Sequence, residues 1–519
     1  MEEKRNIGVY ICQCGSNISD YVDVEKVREE VAKINHVSIS KTTMFACADA
    51  TQNEIVQDIQ ENNLDAIVVA SCSPKLHLDT FKNVAERAGL NPYNYVQVNI
   101  REQCSWAHSD KPVQATEKAI QLVKAGIARA GYSEALIKTK ISAENVVVVV
   151  GAGVSGMRSA IELADLGSYV YLIEREYFVG GRVAQWGELF TTNETGKETI
   201  RRLYNKLMEY KNITLFTGAE IISNTGTVGN FDIQVKIRPR YIKPGCKVDP
   251  EKLQKVIDAC PVEIPDVFNF NLTTCKAIYK NFESEFPEIP AIDPEHCTRC
   301  GECEKLCDDI DLGQKDEFVN IKAGAILINT GYDPYEPKTG EFGYKEIENV
   351  VTLPQLKRLI ELSGKELIYK NKKIHNIGYI YCVGSRQKDG ENKYCSRYCC
   401  TSTIYTSIVI KNKYKDIHNF HFDKSIRTYG KLELLYREAS ENGDIFLQFW
   451  DEDPPVVSRN GNGTVVSIKD MLSSGKELEV DCDLVVLVTG MVPRQDNKIA
   501  DILKAPLGRD KFFNEIHPK

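Results

Sequence analysis

The sequence predicts an α/β protein of several parallel-sheet domains, organised around a Rossmann-type dinucleotide-binding unit and interrupted by a cysteine-rich insertion. Three observations carry this. Val146–Arg182 runs as an apolar strand VVVVV, a glycine turn GAGVSG, a helix-like MRSAIELADLG and a second strand YVYLIE closed by Glu174. Residues 1 to about 135 alternate strand-like and helix-like segments. From about Arg238 to Asn320 the chain becomes proline-rich and cysteine-bearing, and AGAILINTG then resumes the earlier pattern.

Size and composition bound the reading. The 519 residues suffice for about three or four domains, each with its own core. A formal charge of −8 without any basic block argues against a nucleic-acid partner. No apolar run approaches the ~18 residues of a membrane span, and MEEKRNIGVYI has no signal-peptide core, so a soluble cytoplasmic chain is expected. The anomaly is seventeen cysteines. A large α/β enzyme in a reducing compartment needs no disulfides, so clustered cysteines point to metal or redox use.

In the N-terminal α/β domain, residues 1–135, the expected strands NIGVYIC, TTMFAC, LDAIVVASC and YVQVNIREQC each end in cysteine, and a helix is expected from Leu78 to Ala88. The carboxyl ends of parallel strands lie on one sheet edge, which gathers residues scattered over the sequence. Cys12, Cys14, Cys47 and Cys72, with Cys104, are thus candidates to hold an iron–sulfur cluster. Cys14, Cys47 and Cys72 are favoured, and burial as ordinary apolar residues is the competing explanation. Cys12 and Cys14 are two apart and share a strand face, so spacing does not choose between them. PVQATEKAIQLVKAGIARA is a bridging helix, and ALIKTKISAEN a linker.

The dinucleotide domain has its first part at 145–237. Gly151, Gly153 and Gly156 let the turn bend tightly and a pyrophosphate approach the helix N-terminus, and Glu174 can take ribose hydroxyls. The pair Gly180 and Gly181 follows, then Arg182, an amphipathic helix near GKETIRRLYNKLMEY, and a strand with hairpin signals at NTGTVGN. The domain's return strand is expected at 321–335, closed by Thr330 and Gly331.

The insertion, 238–320, contains Cys297, Cys300, Cys303 and Cys307 as C-x2-C-x2-C-x3-C. Zinc sites usually draw two C-x2-C pairs from separate knuckles, whereas three thiolates in one tight loop suit three corners of a cubane. In two-cluster ferredoxins the fourth cysteine of each run ligates the other cluster and commonly precedes proline. Cys260-Pro261 stands where such a crossing ligand belongs, behind KLQKVIDA, which has lost the other three cysteines. A ferredoxin-like domain with one cluster on Cys260, Cys297, Cys300 and Cys303 is expected, with Cys307 the alternative fourth ligand. Cys246 and Cys275 read as structural.

Residues 336–480 occupy the place of a second nucleotide module. Its strand NIGYIYCVG is good, but the turn reads CVGSR and no G-x-G-x-x-G follows. Cys382, Cys395, Cys399 and Cys400 appear instead, as C-x12-C-x3-C-C. A redox pair would be C-x-x-C, and vicinal cysteines form only a strained ring, so an unusual cluster is the better reading. With the nicotinamide place taken by cysteines, the fingerprint at Val146–Arg182 reads as a site for FAD. Residues 481–519 read as an incomplete C-terminal part of the FAD domain, with Cys482 in its core.

Taken together, the fingerprint, CTRCGECEKLC, CVGSR through YCSRYCC, VYICQCGSNISDYVDV and NIREQCSW resemble the A subunit of heterodisulfide reductase over essentially the whole chain. The resemblance implies a thioredoxin-reductase-like FAD domain with an inserted ferredoxin domain and an N-terminal cluster domain. It implies FAD contacts at Gly151, Gly153, Gly156, Glu174, Gly180, Gly181 and Arg182, with Thr330 and Gly331 near the cofactor. It further implies an electron hub, bifurcating in some members. The implied partners are other heterodisulfide-reductase-like subunits, a hydrogenase- or dehydrogenase-type electron donor, and ferredoxin. Two departures stand out: the first ferredoxin run is lost, and the chain stops soon after DLVVLVTGMVPR, where the family continues. The expectation is a fragment, or a separate chain completing the flavin site, with weak FAD binding by this chain alone.

Two rival functions stand against this reading. A self-contained NAD(P)H-dependent disulfide reductase needs a second nucleotide site and a C-x-x-C pair, and the sequence offers neither in place. A non-catalytic relay or scaffold protein differs only in having every substrate site on its partners. Three cubane clusters would carry about twelve irons per chain.

Overall fold

In the computed structural model, residues 5–137, 139–190, 192–243, 250–280, 286–461, 463–494, 496 and 498–514 are described; Cys246 falls outside them. They form two compact units, one of N-terminal residues to Lys140 and one from Ile141 onward.

In the first unit, β1 (Ile7–Cys12), β2 (Val37–Thr43), β3 (Ala66–Ser71) and β4 (Tyr95–Asn99) make an all-parallel sheet in the order β2-β1-β3-β4. β1 and β3 are buried at every position, as central strands of a helix-covered parallel sheet must be. The helices are α1 (Val24–Ala32), α2 (Asp49–Glu61), α3 (Pro74–Arg87) and α4 (Pro112–Tyr132). α3 begins four residues before the expected Leu78, because Ser73 accepts from Lys75 N and Pro74 fits the first turn. The fourth expected strand is cut short: β4 ends at Asn99, and a π-helical turn, Arg101–Ser105, carries Cys104 into the core at 0% exposure.

The second unit opens on β5 (Val146–Val150), α5 (Val154–Asp165) and β6 (Tyr169–Ile173). Then come a 3-10 turn Gly181–Gln185, α6 (Gly196–Met208), β7 (Ile213–Phe216), β8 (Ala219–Thr227) and β9 (Asn230–Ile237). α6 starts in a full capping box, Thr195 with Glu198. The expected hairpin forms between β8 and β9. The insertion holds α7 (Pro250–Asp258), the hairpin β10 (Glu263–Pro265) and β11 (Thr274–Lys276), the pair β12 (Ile278–Tyr279) and β13 (Ala291–Ile292), and α8 (Glu302–Leu306). β14 (Glu317–Ala323) returns against β9, and β15 (Ala325–Ile328) pairs parallel with β5. The dinucleotide sheet is therefore β15-β5-β6-β7.

Beyond it, β16 (Asp333–Pro334) leads to β17 (Val350–Thr352), α9 (Leu353–Leu362), a small hairpin of β18 (Ile368–Tyr369) and β19 (Lys372–Lys373), and β20 (Asn376–Val383). α10 (Cys399–Lys413), β21 (His418–Asp423), α11 (Glu433–Glu441) and β22 (Ile445–Gln448) follow. An antiparallel sheet of β23 (Val456–Asn460), β24 (Gly463–Asp470) and β25 (Lys476–Cys482) precedes β26 (Leu484–Thr489), β27 (Met491–Val492) and α12 (Lys498–Leu503).

The second parallel sheet runs β17-β26-β20-β21-β22. This corrects the assignment of 481–519 to the flavin domain. β26 is buried at every position between β17 and β20, because LVVLVT can shed water on both faces only inside that sheet. The segment after β26 does return to the flavin half: Arg494 reaches Asp333, and Ile499 and Ile502 of α12 pack with Ile221 and Val235. Cys482 ends β25, 3% exposed, in the second module's core rather than the flavin core.

Candidate functional site

The fingerprint folds as a cradle for a dinucleotide. A Cβ on Gly156 would stand 1.7 Å from Gly151 O, and one on Gly151 2.4 Å from Asn329 O, so the turn closes only with glycine at both places. Above Gly153 and Gly331 a Cβ would meet nothing. α5 starts at Gly153 without a side-chain cap, which leaves its first N–H groups free for phosphate oxygens. Asn329 Oδ1 accepts from Ser155 Oγ at 2.7 Å, while its buried Nδ2 has no partner. An orphaned donor beside an uncapped helix start fits a bound pyrophosphate.

Glu174 closes β6, 9% exposed. Its carboxylate accepts from Ala152 N at 2.7 Å and Glu176 N at 2.9 Å. Burial pushes it up, against those two N–H groups. Each oxygen keeps a lone pair that ribose hydroxyls can use. Gly180, at φ 111°, donates to Ala152 O at 2.8 Å and folds the second glycine pair under the cradle. Arg182 donates to Asp333 Oδ1 at 2.7 Å, and Arg494 reaches the same oxygen at 2.9 Å. This ties the turn after Gly181 to the segment after Gly331.

Three aromatic rings lead from the cradle to the second module. Trp186, five residues beyond Gly181, stacks on Tyr398 at 6.4 Å between centroids, and Tyr398 meets Tyr332 at 5.8 Å. Tyr398 directly precedes Cys399. The sequence reading missed all three, since only the fold brings them together.

In the second module Cys382, at the end of β20, packs with Cys399 and Cys400 at the start of α10. Cys395 is half-buried within electrostatic reach of Cys399 and Arg427. The hydrogen bond between the vicinal thiols raises Cys399 and lowers Cys400. Burial pushes Cys382 up to about 11, opposed by Arg386, whose Nη lies 3.9 Å from the sulfur. Gly384, where a nicotinamide fingerprint would open its turn, is covered: a Cβ there would lie 2.0 Å from the Tyr335 ring.

An apolar cavity in the insertion is lined by Cys260, Cys297, Cys300 and Cys303 together with Val262, Ala277, Ile278, Ile292 and Leu312. Cys307, 3% exposed, is not among its lining residues. Arg299 N donates to Cys297 Sγ at 3.4 Å. Cys275, on β11, is half-buried and pushed up to about 11 by burial. Among the described residues no group of His, Cys, Asp or Glu closes around a point that a single metal ion could take.

In the N-terminal unit, Cys12 Sγ accepts from Cys14 N at 3.2 Å and Ala46 N at 3.3 Å. Burial pushes its thiol up to about 11, against those N–H groups. Cys47 lies within electrostatic reach of Cys12, and Cys14 of Cys72. Arg101 Nη1 reaches Cys14 Sγ at 3.4 Å, and its Nε is buried without a partner. Cys104 lies in the core, with Lys118 the charged group that acts on it among the described residues.

A family model described as FAD dependent oxidoreductase matches residues 147–263. The chain is 36% identical over 524 residues to the A subunit of the ferredoxin/F(420)H(2)-dependent CoB-CoM heterodisulfide reductase of Methanosarcina acetivorans, covering 99% of this chain and 65% of that one. It is 36% identical to the iron-sulfur A subunit of the CoB--CoM heterodisulfide reductase of Methanocaldococcus jannaschii, over 99% of this chain and 79% of the relative. To one of the corresponding A subunits from Methanopyrus kandleri it is 38% identical, over 100% and 80%. Thioredoxin reductase of T. acidophilum aligns with 71% of the chain and 84% of its own at 14% identity and a TM-score of 0.37. No helix among the described residues is long and apolar enough to cross a membrane. With a FAD-type cradle in its second unit and such relatives along its whole length, the chain is an oxidoreductase chain that belongs to the family of heterodisulfide reductase A subunits.

Proposed function

We propose that the chain is an iron–sulfur flavoprotein subunit passing electrons between FAD and [4Fe–4S] clusters within a heterodisulfide-reductase-like complex. The observation that carries this is Tyr398: it stacks on Trp186 beyond the Gly180-Gly181 turn, touches Tyr332 beyond Gly331, and adjoins Cys399. One side chain thus spans the gap between the flavin cradle and a cysteine constellation. FAD and the clusters, when bound, supply the redox chemistry, and the protein supplies position and tuning.

In this reading Gly151, Gly153, Gly156, Glu174, Gly180, Gly181, Arg182, Thr330 and Gly331 hold FAD. The cavity walls of the insertion supply Cys260, Cys297, Cys300 and Cys303 to one cluster. Cys382, Cys395, Cys399 and Cys400 hold a second. Cys12, Cys14, Cys47 and Cys72 hold a third on the carboxyl edge of the N-terminal sheet, with Arg101 as a charge beside it. Arg386, Arg427 and Arg101 offset the negative charge of thiolate-ligated clusters, which raises their potentials.

The partners follow the names of the relatives: ferredoxin in the Methanosarcina acetivorans protein, and H(2) with ferredoxin in that of Methanothermobacter marburgensis. A hydrogenase- or dehydrogenase-type protein delivers electrons in this reading, and the flavin splits pairs between a heterodisulfide-type acceptor and ferredoxin. Anaerobic purification with iron and flavin counting tests the scheme. About twelve irons and one FAD per chain are expected; about eight irons removes the N-terminal site or that of the second module, and zinc without iron overturns it. Stopped-flow traces of the assembled complex showing transfer to a single acceptor would remove bifurcation.

A further inference from the structure

α9 docks on the flavin cradle through a basic pair, and among the described residues only one of its two cations has a carboxylate facing it. Arg358, 4% exposed, donates from Nε to Asn269 Oδ1 at 2.8 Å and from Nη1 to Gln185 O at 3.1 Å. Glu361 faces Arg358 and presses on Gly187, where a Cβ would stand 2.2 Å from its Oε1. Lys357 has no such partner. Its ammonium lies 5.1 Å from the centroid of the Trp186 ring. Among the described residues no carboxylate pairs with it and no hydrogen bond fixes it. Burial pulls it down to about 8. Lys357 is half-buried, and an ammonium so placed on a ring, with no described carboxylate beside it, gains when an anion joins it.

The topology says which anion. A dinucleotide with its ribose at Glu174 and its pyrophosphate over Gly151–Gly156 extends past the end of β15, because β15 and β6 flank β5 on opposite sides. Tyr332 follows Gly331 and Trp186 follows the Gly180–Gly181 turn, and both are half-buried. The phosphates are already served by the start of α5 and by Asn329. In the FAD reading the group left to face Lys357 is the ring system, which is neutral when oxidised and a monoanion after gaining two electrons and one proton.

We propose that the Lys357 ammonium faces the flavin ring and supplies the counter-charge for its reduced form, so that the protein binds reduced FAD more tightly than oxidised FAD. This rests on the FAD reading above. The electrons come singly from reduced iron–sulfur centres and the proton from solvent; Lys357 keeps its own protons throughout.

The test compares Lys357→Met and Lys357→Arg with wild type in the FAD-saturated protein, reading oxidised-FAD affinity and the flavin midpoint potential. Lys357→Met is expected to bind oxidised FAD as wild type does and reduced FAD about tenfold more weakly, which lowers the potential by about 30 mV for a two-electron couple. Lys357→Arg is expected to keep the wild-type potential. Without FAD, Lys357→Met is expected to melt above wild type at neutral pH, since an uncompensated cation is gone. An unchanged potential in Lys357→Met overturns the assignment, as does loss of oxidised-FAD binding, which would put the ammonium on the pyrophosphate. A wild-type protein that takes up no FAD at saturating cofactor overturns the FAD reading beneath it.

Discussion

Trp186 and Tyr398 stack with ring centroids 6.4 Å apart and planes inclined by 13°. One ring follows the flavin turn and the other precedes the vicinal cysteines, so the contact joins two modules that are 212 residues apart in the chain. Tyr398→Leu is expected to leave FAD and iron content intact and to cost about 1 kcal/mol of stability from the lost pair. Flavin-to-cluster equilibration should slow in stopped flow; an unchanged rate would show that electrons bypass this wall.

Cys260, but not Cys307, lines the cavity of the insertion. Cys260→Ser should lower the iron content by about four per chain, and Cys307→Ser should not. The opposite pattern in iron analysis and low-temperature EPR would transfer the role to Cys307.

Gly156→Val should abolish FAD retention. Its Cβ would stand 1.7 Å from Gly151 O, so the turn must open, at about 3 kcal/mol. Flavin absorbance of the purified variant and its thermal melt measure both effects. Retention of flavin would mean that the pyrophosphate binds elsewhere.

A buried relay sets the acid stability of the second module. His421, 0% exposed, shares a hydrogen bond with Tyr381 at 2.8 Å and one with Asp444 at 3.1 Å, and Asn419 donates to Asp444 at 2.8 Å. Burial holds the imidazole below its ordinary range, although Asp444 draws it up. A folded pKa below the unfolded one gives stability that is full above about pH 6.5 and lost as pH falls through it. The melting temperature should therefore fall as the pH drops below about 6.5. His421→Leu should remove that slope and cost about 3 kcal/mol, because the buried Asp444 carboxylate loses a hydrogen-bonding partner.

Much of the fold was legible because local periodicity and turn chemistry are local. Alternating strands and helices announced the N-terminal sheet, and GAGVSG between VVVVV and YVYLIE announced the cradle. Where tertiary context overrode the pattern, the reading slipped. VDCDLVVLVTG reads as one flavin strand, yet it is two strands, and β26 inserts between β17 and β20 of the other sheet. REQC reads as a strand end, yet a π-helical turn turns Cys104 inward. Neither partner strand nor helix register is written in a window of ten residues.

The sequence by itself determined the chemistry on offer: a dinucleotide turn, a C-x2-C-x2-C-x3-C loop, a C-x12-C-x3-C-C run, and thiols at the ends of parallel strands. Covalent spacing and backbone sterics are enough for that. Only the tertiary structure decided which groups meet. It put Cys260 rather than Cys307 on the cavity wall, drew Trp186, Tyr332 and Tyr398 into one stack, covered Gly384 with Tyr335, and left Lys357 without a counter-charge. The reason is that contact, burial and charge compensation depend on distance in space, and residues far apart in the chain become neighbours only when the sheets close.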